Sequence, residues 1–407
     1  MDISHDSLKI KYSSLKNIYI YLFAVFIVMK VWRAFSGETE QGGFWNYIQI
    51  FYVVIGPILF LKYSKIINRE PAVLFLMLYA MFAFLISICT IEDLGVSSVF
   101  NLVKVPFSGM VLIIFYIYRM RSKDMLNTDN LLKAVFYISS AILCYKLGFH
   151  MLTGGTRSSE VGTVADVYYI LGMLPYILTI TDKKRWLIPI AVTTVSVFIS
   201  QKRAAFIALV GLVLILYFVG SLRGKSIKSA IGKNILLILL IIAGYYLMVY
   251  MDSKFNLRLF TRLEGLEEDG GSGRDVRWQF IWEAIERSSA SQLFLGHGFA
   301  GAVKLFLGSH AHNDFLEVLY NYGILSFILY CAYYIAQIFN AVKMAKEKYS
   351  HYAEFAGSIF VSLCIAMFSY YVIEPTYILC GCFTQGVLLA EWRKNREVSQ
   401  GLNGNGN

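Results

Sequence analysis

Residues 309–326 read Ser-His-Ala-His-Asn-Asp-Phe-Leu-Glu-Val-Leu-Tyr-Asn-Tyr-Gly-Ile-Leu-Ser. The imidazoles of His310 and His312 and the amide of Asn313 come directly before an apolar run long enough to cross a membrane. A bilayer tolerates such polar groups only where they are paired or used, so the stretch marks a candidate functional site. Glu317 follows one turn inside the predicted helix, where a buried carboxylate needs a partner.

The composition of the whole chain excludes a soluble globular domain. Of the 407 residues, 57% are hydrophobic and 16% are charged, and the mean hydropathy is +0.57. The apolar residues form runs of roughly 17 to 25, the length that crosses the hydrocarbon core as a helix. All six cysteines fall inside such runs, which argues against a disulfide framework and a zinc site. We therefore predict an all-α, polytopic membrane protein.

The basic residues behind the formal net charge of +10 indicate how the chain is oriented in the membrane. Lysine and arginine recur in alternate short connectors, the positive-inside pattern of membrane proteins, and do not form a nucleic-acid surface. The pattern predicts about twelve spans with both termini in the cytoplasm. We predict four regions: residues 1–251 with about nine spans, an outer loop over 252–311, residues 312–392 with about three spans, and a cytoplasmic, disordered tail over 393–407.

The outer loop carries the sequence pattern of an amphipathic helix. Ser272-Gly273-Arg274-Asp275 predicts a helix start with Ser272 as N-cap. The spacing of the apolar residues that follow is typical of one helix face, which holds Trp278, Ile281, Trp282 and Ile285. Two tryptophans on one stripe indicate a helix that lies along the membrane interface.

Four cations at the outer side are candidates for binding an anion. Arg274 and Arg277 lie in the first turn of the loop helix, where the helix dipole disfavours a positive charge unless an anion binds there. Lys202 and Arg203 fall in a very short connector on the same predicted side. The alternatives are two solvated arginines offset by nearby acids and a pair of side chains that reach the interface.

The pattern of His312-Asn313, then Leu316, then Gly323 resembles the signature of the O-antigen polymerase and O-antigen ligase superfamily. Ser326 departs from it, because that position more often holds Gly, Thr or Tyr. The resemblance covers about the last third of the chain by the spacing of these residues. It implies a GT-C-like membrane glycosyltransferase, in the bacterial inner membrane, that acts on lipid-linked saccharides at the periplasmic face.

Sugar transfer from a lipid diphosphate needs a base for the acceptor hydroxyl and cations for the departing diphosphate. Both His310 and His312 suit the first task, and the resemblance selects His312, which a helix N-terminus keeps neutral. Asn313 and Glu317 are predicted to orient the imidazole or bind sugar. His150 and Arg157 lie on the same predicted side as acceptor contacts. No Asp/Glu pair has the spacing of metal ligands, so a mechanism without metal or cofactor is predicted.

These expectations favour a polymerase that joins undecaprenyl-diphosphate-linked oligosaccharide repeats into an O-antigen, capsule or exopolysaccharide. The nearest alternative is a ligase that moves finished polysaccharide onto a lipid A core. A transporter or flippase is the alternative from another class, which charged or broken positions near mid-membrane would favour. The implied partners are lipid-linked donor and acceptor glycans, membrane lipids, a chain-length regulator and a flippase, and no nucleic acid.

Overall fold

The computed structural model describes most of the chain. The described residues are 18–32, 44–67, 70–90, 96–121, 126–152, 166–200, 202–221, 246, 249–250, 253, 270–370 and 377–399. Within these ranges all regular structure is helical, with α-helices and short 3₁₀ turns and no strand. The predicted all-α class is confirmed.

Ten described helices precede the outer loop. They are α1 (Ile18–Trp32), α2 (Phe44–Lys62), α3 (Ser64–Ile67), α4 (Pro71–Thr90), α5 (Val96–Phe107), α6 (Val111–Arg121), α7 (Leu126–Leu152), α8 (Val167–Thr179), α9 (Leu187–Ser200) and α10 (Arg203–Ser221). The outer loop contributes α11 (Gly270–Glu286), α12 (Ala290–Leu295) and α13 (Gly301–Leu305). The chain then forms α14 (Asp314–Lys346), α15 (Tyr352–Phe368) and α16 (Ile378–Ser399).

Several of these helices have the length and composition of membrane spans. Three are long and apolar enough to cross a bilayer: Pro71–Thr90, Asn101–Arg121 and Asp314–Lys346. Shorter apolar helices cover Ile18–Trp32, Tyr47–Lys62, Val167–Thr179, Arg203–Val219 and Tyr352–Phe368. The chain is an integral membrane protein. The count of about twelve spans and the four predicted regions stay predictions, because parts such as 222–245 and 254–269 lie outside the described residues.

Small residues let neighbouring helices approach closely in the core. The C-terminal helix α16 packs against α6 and α8. A Cβ atom on Gly386 would lie 2.5 Å from the carbonyl oxygen of Leu112, and one on Gly172 would lie 2.8 Å from the Cβ of Cys380. Close backbone approach of this kind is how helices associate where lipid removes the hydrophobic drive between them.

The end of the bundle opposite the histidines is held by ion pairs. Arg119 at the end of α6 lies 2.7 Å from Glu391 of α16. Glu70, fully buried before α4, pairs with Arg393 and accepts a hydrogen bond from Asn340 of α14. Asn340 lies toward the far end of α14 from His312, so these basic residues gather at one end of the helix layer and the candidate site at the other.

Candidate functional site

Helix α14 begins where the segment 309–313, which we call the histidine segment, ends. Asn313 is extended, and its side-chain oxygen accepts a hydrogen bond from the backbone N–H of Leu316 at 3.2 Å, which caps the helix. An Asn N-cap satisfies one of the donors that the first turn leaves unpaired. Asn313 therefore sets the position at which the backbone leaves the helix, and His312 lies immediately before that point.

Glu317 is fully buried and its two carboxylate oxygens are both bonded. Oε1 accepts the backbone N–H of Ala311 at 2.7 Å, and Oε2 lies 2.9 Å from Nδ1 of His310. The partner that burial of this carboxylate demands is thus His310. The pair fixes the segment before the helix on both sides of Ala311, and the His310 side chain keeps 32% of its surface exposed.

His312 has a left-handed backbone, with a φ of 60°. Its Nε2 lies 2.8 Å from the hydroxyl of Tyr370, just beyond the end of α15, and the two ring centroids are 4.5 Å apart. Burial is the largest cause that lowers the pKa of His312, and together with the nearby charges of Arg274, Arg277, Lys202 and His310 it brings that pKa to about 3. The imidazole is therefore neutral at neutral pH, because of burial and the nearby cations.

Helix α11 is docked onto the histidine segment by two side chains. Arg277 donates from Nη1 to the hydroxyl of Ser309 at 2.6 Å and to the carbonyl of His310 at 2.8 Å. The indole N–H of Trp278 donates to the carbonyl of Ala311 at 2.9 Å. The bonds to the carbonyls of His310 and Ala311 satisfy backbone acceptors outside any helix, and all three bonds place the start of α11 beside both histidines.

The remaining stripe of α11 packs inside the protein. Ile281 and Ile285 are buried against Ala302, Ala311 and Tyr320. Trp282 is half exposed and bonds to Glu286. The helix begins at Gly270, two residues before the predicted cap, and Gly273 has a φ of 71° near its start. The location of α11 at the membrane interface stays a prediction.

The four predicted cations share one electrostatic environment, and we call Lys202, Arg203, Arg274 and Arg277 the cationic cluster. Burial lowers the pKa of Lys202, and Arg274 lowers it further. Burial also lowers the pKa of Arg274, with Arg203 and Arg277 acting in the same direction while Tyr168 and Tyr370 act against it. Desolvated cations that repel one another are stabilised by an anion, so the cluster is suited to bind one.

Gly323 interrupts α14 with a φ of 73° and a ψ of 179°. Released carbonyls at this break accept hydrogen bonds from the outer loop: His297 N–H to Tyr320 at 2.8 Å and Gly298 N–H to Asn321 at 2.9 Å. A Cβ on Gly323 would lie 2.1 Å from the carbonyl oxygen of Phe294. A glycine at this position is therefore required by both backbone conformation and space. The break ties the loop to the helix that carries the histidines.

His297, the other histidine of the outer loop besides His310, has a separate environment. His297 lies between Gly296 and Gly298, which have φ values of 77° and 90°. Its ring stacks on Tyr320 at a centroid distance of 4.0 Å and lies 2.7 Å from the hydroxyl of Ser288. These contacts make it part of the loop's own packing.

Two predicted acceptor residues are not placed by the structure. His150 lies within the backbone of α7, and its side chain is outside the described residues. Arg157 falls in the segment 153–165, which is also outside them. Their proximity to the histidines stays a prediction.

Tyr370 is the residue of the site that sequence reasoning missed. It contacts the rings of both His310 and His312, at centroid distances of 5.2 and 4.5 Å. Its contact with His312 spans 58 residues of the chain, so no local sequence pattern indicates it. Among the described residues no group of three or more His, Cys, Asp or Glu side chains is placed to hold a metal ion.

Comparison with known families identifies a segment of the chain. Residues 188–331 match the family model Wzy_C, described as O-antigen ligase. This confirms the resemblance to the O-antigen polymerase and ligase superfamily. The matched segment contains the cationic cluster, both histidines of the site, Asn313 and Glu317, whereas Tyr370, His150 and Arg157 lie outside it. No curated protein matches the chain.

Proposed function

We propose, on the premise that residues 188–331 carry an O-antigen ligase family domain, that the chain is a membrane polysaccharide polymerase. In this proposal it lies in the bacterial inner membrane with its site facing the periplasm. It joins oligosaccharide repeats carried on undecaprenyl diphosphate into O-antigen, capsular or exopolysaccharide. A flippase supplies the lipid-linked repeat and a chain-length regulator sets the product size.

The observation that carries the proposal is the neutral imidazole of His312 beside the cationic cluster. Transfer of a sugar from a lipid diphosphate needs a proton acceptor and a separate anion site within a few ångströms of the same sugar carbon. Lys202, Arg274 and Arg277 are close enough to depress the pKa of His312. This proximity supports a site in which residues of α10, α11 and the start of α14 act together.

In the proposed reaction His312 takes the proton of the acceptor hydroxyl. The acceptor oxygen bonds to the anomeric carbon of the donor, and the bond from that carbon to the diphosphate oxygen breaks, with the electron pair leaving on the diphosphate. A pKa of about 3 by itself makes His312 a weak base. A bound diphosphate offsets the field of the cationic cluster, so donor binding raises the pKa of His312 toward the value a base requires.

The cationic cluster binds the donor diphosphate in this mechanism. The planar fork of an arginine matches two phosphate oxygens, and its charge is kept in a buried site. Arg277 already bonds the backbone carbonyl of His310 through Nη1. A phosphate bound to Arg277 would therefore have a fixed position relative to the two histidines. Lys202 and Arg203 approach from the start of α10 and complete the cluster.

His310 is the second candidate for the base. The carboxylate of Glu317 bonds its Nδ1 at 2.9 Å, which orients the ring in the manner of a carboxylate–histidine pair in acid–base catalysis. Separate His312→Ala and His310→Ala variants distinguish the two, because loss of the base costs about 10²- to 10⁴-fold in rate.

Ligation is the second candidate function, and the description of the matched family favours it. A ligase needs the same base and the same diphosphate site, and differs in its acceptor, a lipid A core. Loss of a polymerase leaves lipid A with a single repeat or, in a capsule pathway, unaffected. Loss of a ligase strands long polymer on undecaprenyl diphosphate.

The test is a cell in which the gene is deleted and replaced by wild-type protein or by the His312→Ala variant. Glycans on undecaprenyl diphosphate and on lipid A are separated and sized by gel electrophoresis and mass spectrometry. We expect His312→Ala to stop elongation at one repeat, while His351→Ala, at the start of α15, elongates normally. Long polymer that accumulates on undecaprenyl diphosphate in the variant would show that the protein is a ligase and not a polymerase. Normal elongation with lost export would favour a transporter.

A further inference from the structure

Tyr370 lies between the two histidines of the site. Its hydroxyl is 2.8 Å from Nε2 of His312, and its ring packs edge-on to His310 and tilted over His312. It is placed there by the end of α15, where Ser369 ends the helix. The contact involves one nitrogen of His312, and within the described part of the chain Nδ1 has no hydrogen-bond partner.

A neutral imidazole carries a single N–H, so the partner of one nitrogen decides which nitrogen holds the lone pair. If Nε2–H donates to the phenol oxygen, the lone pair is on Nδ1. If the phenol donates to Nε2, Nδ1 carries the proton and has no lone pair to offer. A base needs the open nitrogen to be the unprotonated one, and Nδ1 is the open nitrogen here.

We propose that Tyr370 is a positioning residue that accepts a hydrogen bond from Nε2–H of His312 and so leaves the lone pair of Nδ1 to take the acceptor proton. This rests on the proposed function of His312 as the base. The acceptor O–H bond breaks, an Nδ1–H bond forms, and the imidazolium keeps its Nε2–H bond to Tyr370 throughout. The tilted ring of Tyr370 contacts the imidazole and holds its orientation during the transfer.

Two variants separate the hydroxyl of Tyr370 from its ring. Tyr370→Phe keeps the ring over both histidines and removes the acceptor oxygen, whereas Tyr370→Leu removes both. We expect Tyr370→Phe to lower kcat about tenfold, the effect of one hydrogen bond, with the KM for the lipid-linked donor unchanged. Tyr320→Phe is the matched control, because Tyr320 stacks on His297 outside the cluster.

The tautomer is measured directly, without turnover. The full-length protein, labelled with ¹⁵N-histidine in detergent, gives separate signals for protonated and unprotonated ring nitrogens, and His312 is assigned by loss of its signals in His312→Gln. We expect a protonated Nε2 and an unprotonated Nδ1 in the wild type, and a mixture of tautomers in Tyr370→Phe.

The outcomes keep this inference distinct from the proposed function. A wild type with protonated Nδ1, or a Tyr370→Phe variant with full kcat beside an active wild type, overturns the role of Tyr370. Loss of activity in Tyr370→Leu alone assigns the effect to ring packing and also overturns it. A His312→Ala variant that still elongates glycan overturns the proposed function, whatever the tautomer.

Discussion

Glu317 and His310 form a pair in which a fully buried carboxylate oxygen lies 2.9 Å from Nδ1 of a partly exposed imidazole. The other oxygen of Glu317 accepts the N–H of Ala311. The first turn of α14 thus holds the preceding segment by a side chain that points back at it. The stability of the protein and the positions of the two histidines therefore both depend on the carboxylate of Glu317.

Removal of this carboxylate is expected to destabilise the protein. Glu317→Ala leaves the N–H of Ala311 without its buried acceptor, which costs about 1–3 kcal/mol. Thermal unfolding in detergent measures the loss. The matched control is Glu283→Ala on the exposed side of α11, where the pair with Arg287 is solvated and contributes little. Equal melting temperatures for the two variants would contradict the structural role of Glu317.

The pH dependence of stability reports the buried state of His312. Its pKa is about 3 in the folded protein and near 6.5 when unfolded, so the unfolded state binds more protons between these values. The stability that His312 contributes is complete above pH 6.5 and is lost as the pH falls toward 3. We expect wild-type protein to lose more stability than His312→Gln between pH 6.5 and 4 in melting curves.

Inorganic pyrophosphate extends this prediction. If an anion bound to the cationic cluster raises the pKa of His312, saturating pyrophosphate reduces the difference in pH dependence between wild type and His312→Gln. If the difference is unchanged while calorimetry verifies that pyrophosphate binds, the charge of the cationic cluster does not control the pKa of His312.

Arginine geometry is expected to matter at position 277. Arg277 bonds both Ser309 and the His310 carbonyl, so Arg277→Lys keeps the charge but loses the fork. We predict that Arg277→Lys and Arg277→Ala both raise the KM for the lipid-linked donor, by roughly tenfold or more, the value of a charge-assisted hydrogen bond. Arg287→Ala, on an arginine with 79% of its side chain exposed, is the control. Full rescue by lysine would reduce the role of Arg277 to its charge.

Gly323→Ala is expected to disrupt the site from a distance. The added Cβ meets the Phe294 carbonyl at 2.1 Å in a backbone conformation that alanine adopts poorly. Gly308→Ala separates the two causes, because Gly308 has a φ of 98° with open space around it. We expect Gly308→Ala to lower the melting temperature slightly, and Gly323→Ala to lower both the yield of monodisperse protein and activity. Similar effects of the two would show that backbone conformation dominates.

The sequence predicts those parts of the site that depend on local pattern. The helical class follows from apolar run length, and the start of α14 from a polar group ahead of an apolar run. The sequence points to Arg274 and Arg277 because a helix start disfavours cations unless an anion binds there, and both lie near the two histidines in the structure. The predicted start of α11 at Ser272 was late, since glycines at 270 and 271 are also assigned to the helix.

Contacts between distant segments could not be predicted from one sequence. Tyr370 reaches His312 only because α15 ends beside the start of α14. Phe299 donates its N–H to Thr90 at the end of α4, a contact across 209 residues that no spacing rule indicates. The indole N–H of Trp278 bonds the carbonyl of Ala311, a contact between α11 and the neighbouring loop that the apolar spacing of α11 does not indicate.

The interruption of α14 at Gly323 allows the part of the helix after residue 323 to tilt without reorienting His310 and His312. A long span adapts to bilayers of different thickness by tilting. In an unbroken helix this tilt would also move the end that carries the histidines. Here the residues above the break are braced by the N–H groups of His297 and Gly298. We therefore expect a change in lipid thickness to tilt α14 below residue 323 and to leave the spacing between His312 and the cationic cluster unchanged.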